Sequence, residues 1–172
     1  MASGKSEEIS APKSRVILQQ CLSAKLMVEP KSDASEAKYT QIGRGLVVYI
    51  CFLKDASEDI LDKMVKSILS ACLSEDDNGK LVSVLDLPGD VLIIPQATMG
   101  GNLKGKKMQY HRNVNKETGL NLYTKFIQMC EDVMMKSDKC KERQTVVRYG
   151  TYGNRQVFSM DTNGPYSHVL EF

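Results

Sequence analysis

Eight residues, Gly45–Phe52, constrain this chain more than any other stretch. Leu46, Val47, Val48, Tyr49, Ile50 and Cys51 follow one another without a polar break. A strand with one wet face alternates apolar and polar residues, so an unbroken run predicts a strand buried on both faces. Such a strand needs cover on two sides. Two amphipathic segments offer part of it. Ile60, Met64, Ile68 and Cys72 recur every four residues with Leu61, Val65 and Leu69 beside them, which predicts a helix ending near Ser74. Asp55, with Glu58 three positions on, has capping-box spacing, and Ser57 is the other candidate cap. A second helix is expected over about Glu117 to Lys136, with Leu120, Tyr123, Phe126, Ile127, Cys130, Val133 and Met134 as its apolar face.

The remaining apolar runs read as strands. They are Arg15 to Leu22, Lys25 to Val28 pairing back on it, Leu81 to Leu87, Val91 to Pro95, Thr145 to Arg148, Gln156 to Asp161 and Tyr166 to Phe172. Pro88-Gly89-Asp90 suits a type II turn and predicts a hairpin between its flanking strands. The expected fold class is α+β: one domain over residues 15–172, with two long helices flanking a curved β-sheet or barrel. Residues 1–14 are polar, mixed in charge and without an apolar centre, and read as a disordered tail rather than a secretory signal.

At 172 residues the chain suits one domain with a full core. No apolar run approaches the roughly 18 residues of a membrane span, so no membrane is expected. Five cysteines, Cys21, Cys51, Cys72, Cys130 and Cys140, are odd in number and form no CxxC pair. Reduced thiols and a cytoplasmic location are the expectation. Cys51, Cys72 and Cys130 lie among apolar residues and read as buried small hydrophobes. Net charge is only +2, yet Val91 to Lys116 holds no acid and five cations: Lys104, Lys106, Lys107, Arg112 and Lys116. Such a stretch is either a solvated basic loop or a local field that attracts phosphate. Tyr110 and His111 sit inside it, where an aromatic ring and an imidazole could meet a base and a phosphate.

Several chemistries have no footing. Two histidines and no Cys/His cluster leave no zinc site, and no other metal site is evident. No GxSxG elbow, P-loop or GxGxxG occurs, so neither an α/β-hydrolase nor a nucleotide cofactor is expected. What remains is polar main chain. Gln96 and Thr98 follow a buried strand and would share one face if its geometry continued. They either satisfy backbone groups there or position a water or carbonyl. Neither is a general base at neutral pH. Gly100-Gly101 would let a ligand approach the backbone or simply form a flexible turn. His168 on the last strand is more simply structural. Asn163-Gly164-Pro165 is a rigid turn able to project backbone groups.

Three segments together resemble the D-aminoacyl-tRNA deacylase family. Pro95-Gln96-Ala97-Thr98-Met99 is similar to its SQxTL motif, Thr162-Asn163-Gly164-Pro165-Tyr166-Ser167 to its NxGPV[ST] motif, and Lys104-Gly105-Lys106-Lys107 to its KGRR loop. Gly43 to Val48 and Glu75 to Lys80 also resemble it in content and order. Pro95 stands where Ser is usual, Met99 for Leu, Thr162 for Asn and Tyr166 for Val. These variants look like the Animalia-specific tRNA deacylase (ATD) branch. The resemblance implies a homodimer that hydrolyses the ester between an amino acid and the terminal adenosine of tRNA, assisted by the tRNA 2′-hydroxyl and without a cofactor. It assigns the substrate carbonyl contact to the main chain of Ala97, Thr98 and Met99, with Gln96 and Thr98 in support. It makes Gly164 and Pro165 of one subunit the chiral gate of the other, and Lys104, Lys106, Lys107 and His111 the hold on the acceptor end. In this branch the gate peptide is expected to be trans with its carbonyls turned outward, admitting L-alanyl-tRNA(Thr) beside D-aminoacyl-tRNA. A non-catalytic RNA-binding module on the same fold, or a proofreader of other acyl esters, are the readings that compete.

Overall fold

In chain order the computed structural model, which describes residues 10–172, has twelve strands and three α-helices. The strands are β1 (Ser14–Cys21), β2 (Ser23–Glu29), β3 (Lys38–Ile42), β4 (Gly45–Phe52), β5 (Ser74–Glu75), β6 (Leu81–Val82), β7 (Asp90–Pro95), β8 (Asn102–Lys104), β9 (Lys107–Gln109), β10 (Val147–Tyr149), β11 (Phe158–Asp161) and β12 (Ser167–Glu171). The helices are α1 (Leu61–Ser70), α2 (Lys116–Lys136) and α3 (Asp138–Arg143). Residues 1–9 of the expected tail lie outside the described residues.

The apolar run becomes β4, near the centre of a five-stranded sheet ordered β10-β7-β4-β1-β12. Its even-numbered residues, Leu46, Val48 and Ile50, pack against α1 and α2 with Met64, Ile68 and Phe126. Val47 on its opposite face joins Leu92, Leu26 and Ile42 in a second cluster under a three-stranded sheet, β11-β2-β3. The molecule is therefore layered as helices, sheet, sheet. The two sheets form no closed barrel among the described residues, which corrects that part of the expectation. Each buried Leu, Ile or Val contributes roughly 1.5–3 kcal/mol of apolar transfer, so β4 and β7, buried on both faces, anchor the fold.

Several local expectations are corrected. β2 does not pair back on β1, because both edges of β1 are taken by β4 and β12. The chain instead leaves the large sheet at Leu22, whose N–H donates to the Asp161 carbonyl. No hairpin joins Leu81–Leu87 to β7. β7 is an inner strand, parallel to both β4 and β10, and β6 pairs with β5. The last two strands do not pair with each other. β11 pairs with β2 and β12 with β1, so Thr162–Tyr166 crosses from the small sheet to the large one.

The capping box does not form. Asp55 sits at φ 66°, and a 3-10 turn at Glu58–Ile60 leads into α1 without a side-chain cap. α1 stops at Ser70 and Ala71 turns extended, which carries Cys72 off the apolar stripe and leaves it exposed. Cys21, Cys51, Cys130 and Cys140 are buried free thiols. Asn115 caps α2 by accepting from Thr118 N–H. Leu122 takes the buried place expected of Leu120, which is exposed.

Candidate active site

β7 ends at Pro95, level with Ile50 of β4, and Gln96 N–H still donates to the Ile50 carbonyl at 2.8 Å. The strand geometry expected to align Gln96 with Thr98 does not continue. Met99 N–H closes back on the Gln96 carbonyl at 3.2 Å, and Ala97–Gly100 is a 3-10 turn. Beyond Pro95 the chain has no further ladder partner, so the local turn satisfies its backbone.

This turn lines a cleft of about 780 Å³. Pro95, Gln96, Ala97 and Thr98 line it with Phe52, Ile94, Asn113, Lys116, Tyr152 and Arg155. Met99 does not line it. The four carbonyls of the turn are engaged. Gln96 O accepts from Met99 N–H and Thr98 O from Gly101 N–H at 3.1 Å. Ala97 O accepts from Asn113 Nδ2 at 2.8 Å, and Met99 O from Arg15 Nη1 at 2.7 Å. Arg15 is itself fixed by Glu171 at 2.8 Å. By contrast, the N–H groups of Ala97 and Thr98, at the start of the turn, make no hydrogen bond within the described residues. The side chains of Gln96 and Thr98 are exposed and likewise make none, so they are free to meet a ligand rather than tied to the strand end.

Cys51 is the thiol lining the cleft. Burial pushes its thiol above the ordinary range, against smaller lowering effects from the Gly100 backbone and Arg15. It stays a neutral thiol at physiological pH and is a poor nucleophile. Tyr152 is raised as well, chiefly by burial, so its phenol stays protonated.

The glycine-proline segment lies elsewhere. Neither Gly164 nor Pro165 lines the cleft of its own chain. The Gly164–Pro165 peptide is trans; the cis bond among the described residues is Leu87–Pro88. The Gly164 carbonyl is turned back into its own chain, where Gln19 Nε2 donates to it at 2.8 Å. Thr162 Oγ1 lies 2.8 Å from the same carbonyl and accepts from Gly164 N–H at 3.2 Å. Gln19 is buried, gives its second proton to the Gln20 carbonyl and accepts from Ser167 Oγ at 3.2 Å, so the clamp is fully satisfied. A methyl on Gly164 would fall 2.7 Å from two ring carbons of the exposed Tyr166, so a larger residue there would require that ring to shift.

The basic stretch forms a two-stranded hairpin, β8-β9, turned at Gly105 with φ 61°. Lys104, Lys106, Lys107 and His111 are exposed on or beside it, and none of the lysines makes an ion pair among the described residues. They do not line the cleft. The cations that do, Lys116 and Arg155, were not singled out as site residues from the sequence. Asn113, Tyr152 and Gln19 were missed as well. A polar residue inside the glycine-bounded stretch Gly150–Gly153 is the signal that could have flagged Tyr152, whereas Gln19 sits in an ordinary strand pattern.

The sequence profile of the D-Tyr-tRNA(Tyr) deacylase family matches residues 17–171. The chain belongs to that family. Among the deacylases similar to it is the D-aminoacyl-tRNA deacylase 2 of Gallus gallus, 57% identical over 92% of this chain and 95% of its own. The Homo sapiens D-aminoacyl-tRNA deacylase 2 is 52% identical over 94% and 96%. A solved structure described as a probable eukaryotic D-amino acid tRNA deacylase superposes with a TM-score of 0.76 at 27% identity, covering 92% of this chain and 99% of that one. The deacylase family thus accounts for the layered fold, and the animal relatives match the branch that the motif variants resemble.

Proposed function

We infer that this chain is an aminoacyl-tRNA editing hydrolase that cleaves the ester of mischarged tRNA. One observation carries the mechanism: the Ala97 and Thr98 N–H groups, in the turn that lines the cleft, are unpaired among the described residues while the carbonyls around them are tied down. Hydrolysis of an ester places negative charge on the carbonyl oxygen in the transition state. Fixed N–H donors aimed at that oxygen stabilise it without reorganising. Esters are already activated, so a positioned water, helped by the tRNA 2′-hydroxyl beside the ester, needs no side-chain nucleophile. Gln96 and Thr98, free of internal partners, orient the aminoacyl group or the water. No cofactor and no metal enter this scheme.

The substrates are D-aminoacyl-tRNA and L-alanyl-tRNA(Thr). Permissiveness follows from the gate. A Gly164 carbonyl held by Gln19 and Thr162 of its own chain is not available to screen an L-side chain in a neighbouring cleft. Because Gly164 and Pro165 lie off their own cleft, gating requires a second copy. β12 is an edge of the large sheet with Tyr166 and Val169 exposed, a surface on which that copy docks to form the homodimer. The β8-β9 hairpin, with Lys104, Lys106, Lys107 and His111, holds the phosphates of the acceptor end. Unpaired thiols accord with a cytoplasmic protein.

The test is release of amino acid from D-aminoacyl-tRNA and L-alanyl-tRNA(Thr) by the purified protein. Hydrolysis well above the uncatalysed rate is expected on at least one. Tight tRNA binding with no deacylation would favour a non-catalytic RNA-binding module, and activity on simple esters lacking tRNA would favour a general esterase.

A further inference from the structure

We propose that Asn113 is a positioning residue for the donor turn: its side-chain amide, acting through the Ala97 carbonyl, sets the direction of the Thr98 N–H group on the same peptide plane. This rests on the deacylase reading and adds a residue that the motifs do not contain.

Three observations converge on Asn113. Its Nδ2 donates to Ala97 O at 2.8 Å, the carbonyl that lies between the two unpaired N–H groups. Peptide planes are rigid, so fixing that carbonyl fixes the orientation of the Thr98 N–H on the same plane. Its Oδ1 is the buried side-chain polar atom that has no hydrogen-bond partner among the described residues. Native proteins rarely leave such an atom orphaned, so its position calls for a reason. Finally, the oxygen fits into a notch in the turn itself. A methyl on Gly100 would fall 1.8 Å from Asn113 Oδ1 and 2.8 Å from its Cγ. The amide is thus wedged between Ala97 and Gly100, spanning the turn.

The support for Asn113 is as rigid as the turn needs. Its N–H donates to Tyr110 O at 3.1 Å, and it forms a β-bridge with Leu53. On either side, Lys54 N–H donates to Arg112 O and Val114 N–H to Phe52 O. Asn113 is therefore stitched to the exit of β4, the strand whose Ile50 carbonyl also receives Gln96 N–H. Turn and brace hang from one buried strand. A group held to within a few tenths of an ångström by such a support preserves donor geometry.

The experiment uses the full-length protein with D-aminoacyl-tRNA as the probe. Asn113→Ala removes the donor and is expected to lower kcat at least tenfold with KM within about twofold of wild type, since the brace acts in the transition state. Asn113→Asp keeps the shape but sets a carboxylate against the Ala97 carbonyl. It is expected to be as impaired near pH 8 and to regain activity relative to wild type as the pH falls toward about 4, the ordinary aspartate range, where the protonated carboxyl can donate again. A purely structural role would not give that pH dependence. Gly100→Ala should be destabilising in the native background and tolerated in Asn113→Ala, by thermal melting. Asn113→Ala with kcat within twofold of wild type, or an Asn113→Asp profile parallel to wild type, would overturn the proposal. A wild-type protein inactive on every aminoacyl-tRNA would instead count against the deacylase reading. The brace then remains open to amide hydrogen exchange: faster exchange at Met99 and Gly101, whose N–H groups close the turn, in Asn113→Ala supports it, and unchanged exchange rejects it.

Discussion

The Gln96–Gly101 turn and the Thr162–Tyr166 crossing are both irregular main chain held by a side-chain amide, and they present opposite groups. In the turn, Asn113 takes up a carbonyl and N–H groups are left unpaired. In the crossing, Gln19 takes up the Gly164 carbonyl, and Gly164 N–H is used as well, by Thr162. The turn is left as an electrostatic site, whereas the crossing is left as a shape. On the proposed function, that difference separates rate from selectivity: the chemistry would be built within one chain beside its cleft, and discrimination on a segment that does not line that cleft and would act on a second copy.

The sharpest way to break this separation is to delete a donor from the turn. Ala97 is the first position of the 3-10 turn, where proline is tolerated because its missing N–H has no internal partner. Ala97→Pro should lower kcat about 10²–10³-fold, alike on D- and L-aminoacyl-tRNA, as expected for one lost oxyanion donor. Equal activity would remove the turn from the chemistry. A smaller effect is expected at the crossing. Gln19→Ala frees the Gly164 carbonyl from one of its two partners, worth roughly 1 kcal/mol. The ratio of D- to L-alanyl-tRNA hydrolysis should then change by about fivefold to tenfold, while the rate on the better substrate stays within a fewfold. A uniform fall on both substrates would show that the crossing also serves the chemistry. The smallest effect belongs to the hairpin. Replacing Lys104, Lys106 and Lys107 with alanine should raise KM severalfold at low salt, leave kcat unchanged and lose its effect as salt is raised. An unchanged salt dependence of KM would take the hairpin out of tRNA binding.

Where local pattern and burial agreed, the sequence was a good guide. The unbroken run at Gly45–Phe52 could only be a two-faced strand, and β4 is one. The long stripe of Tyr123, Phe126, Ile127, Cys130 and Met134 became α2 within one residue of the expected ends. Pairing was not legible. Lys25–Val28 looked ready to fold back on the first strand, but whether β2 joins that sheet depends on β12, which arrives from the far end of the chain to occupy the free edge of β1. The same long-range competition turned an expected hairpin at Pro88-Gly89 into a parallel inner strand. At the site, the motifs located Gln96, Ala97 and Thr98 but not their supports. Asn113 and Gln19 act by hydrogen bonds across 16 and 145 residues, and nothing in local sequence announces such a bond.

The central claim is that unpaired main-chain N–H groups, rather than side chains, drive ester cleavage. It is tested most directly by single-turnover deacylation of D-aminoacyl-tRNA with both polar side chains stripped from the turn, in Gln96→Ala/Thr98→Ala. The account predicts a rate constant within about tenfold of wild type, because the Ala97 and Thr98 amides remain. A fall to the uncatalysed rate in this folded variant would contradict it and return the chemistry to the side chains.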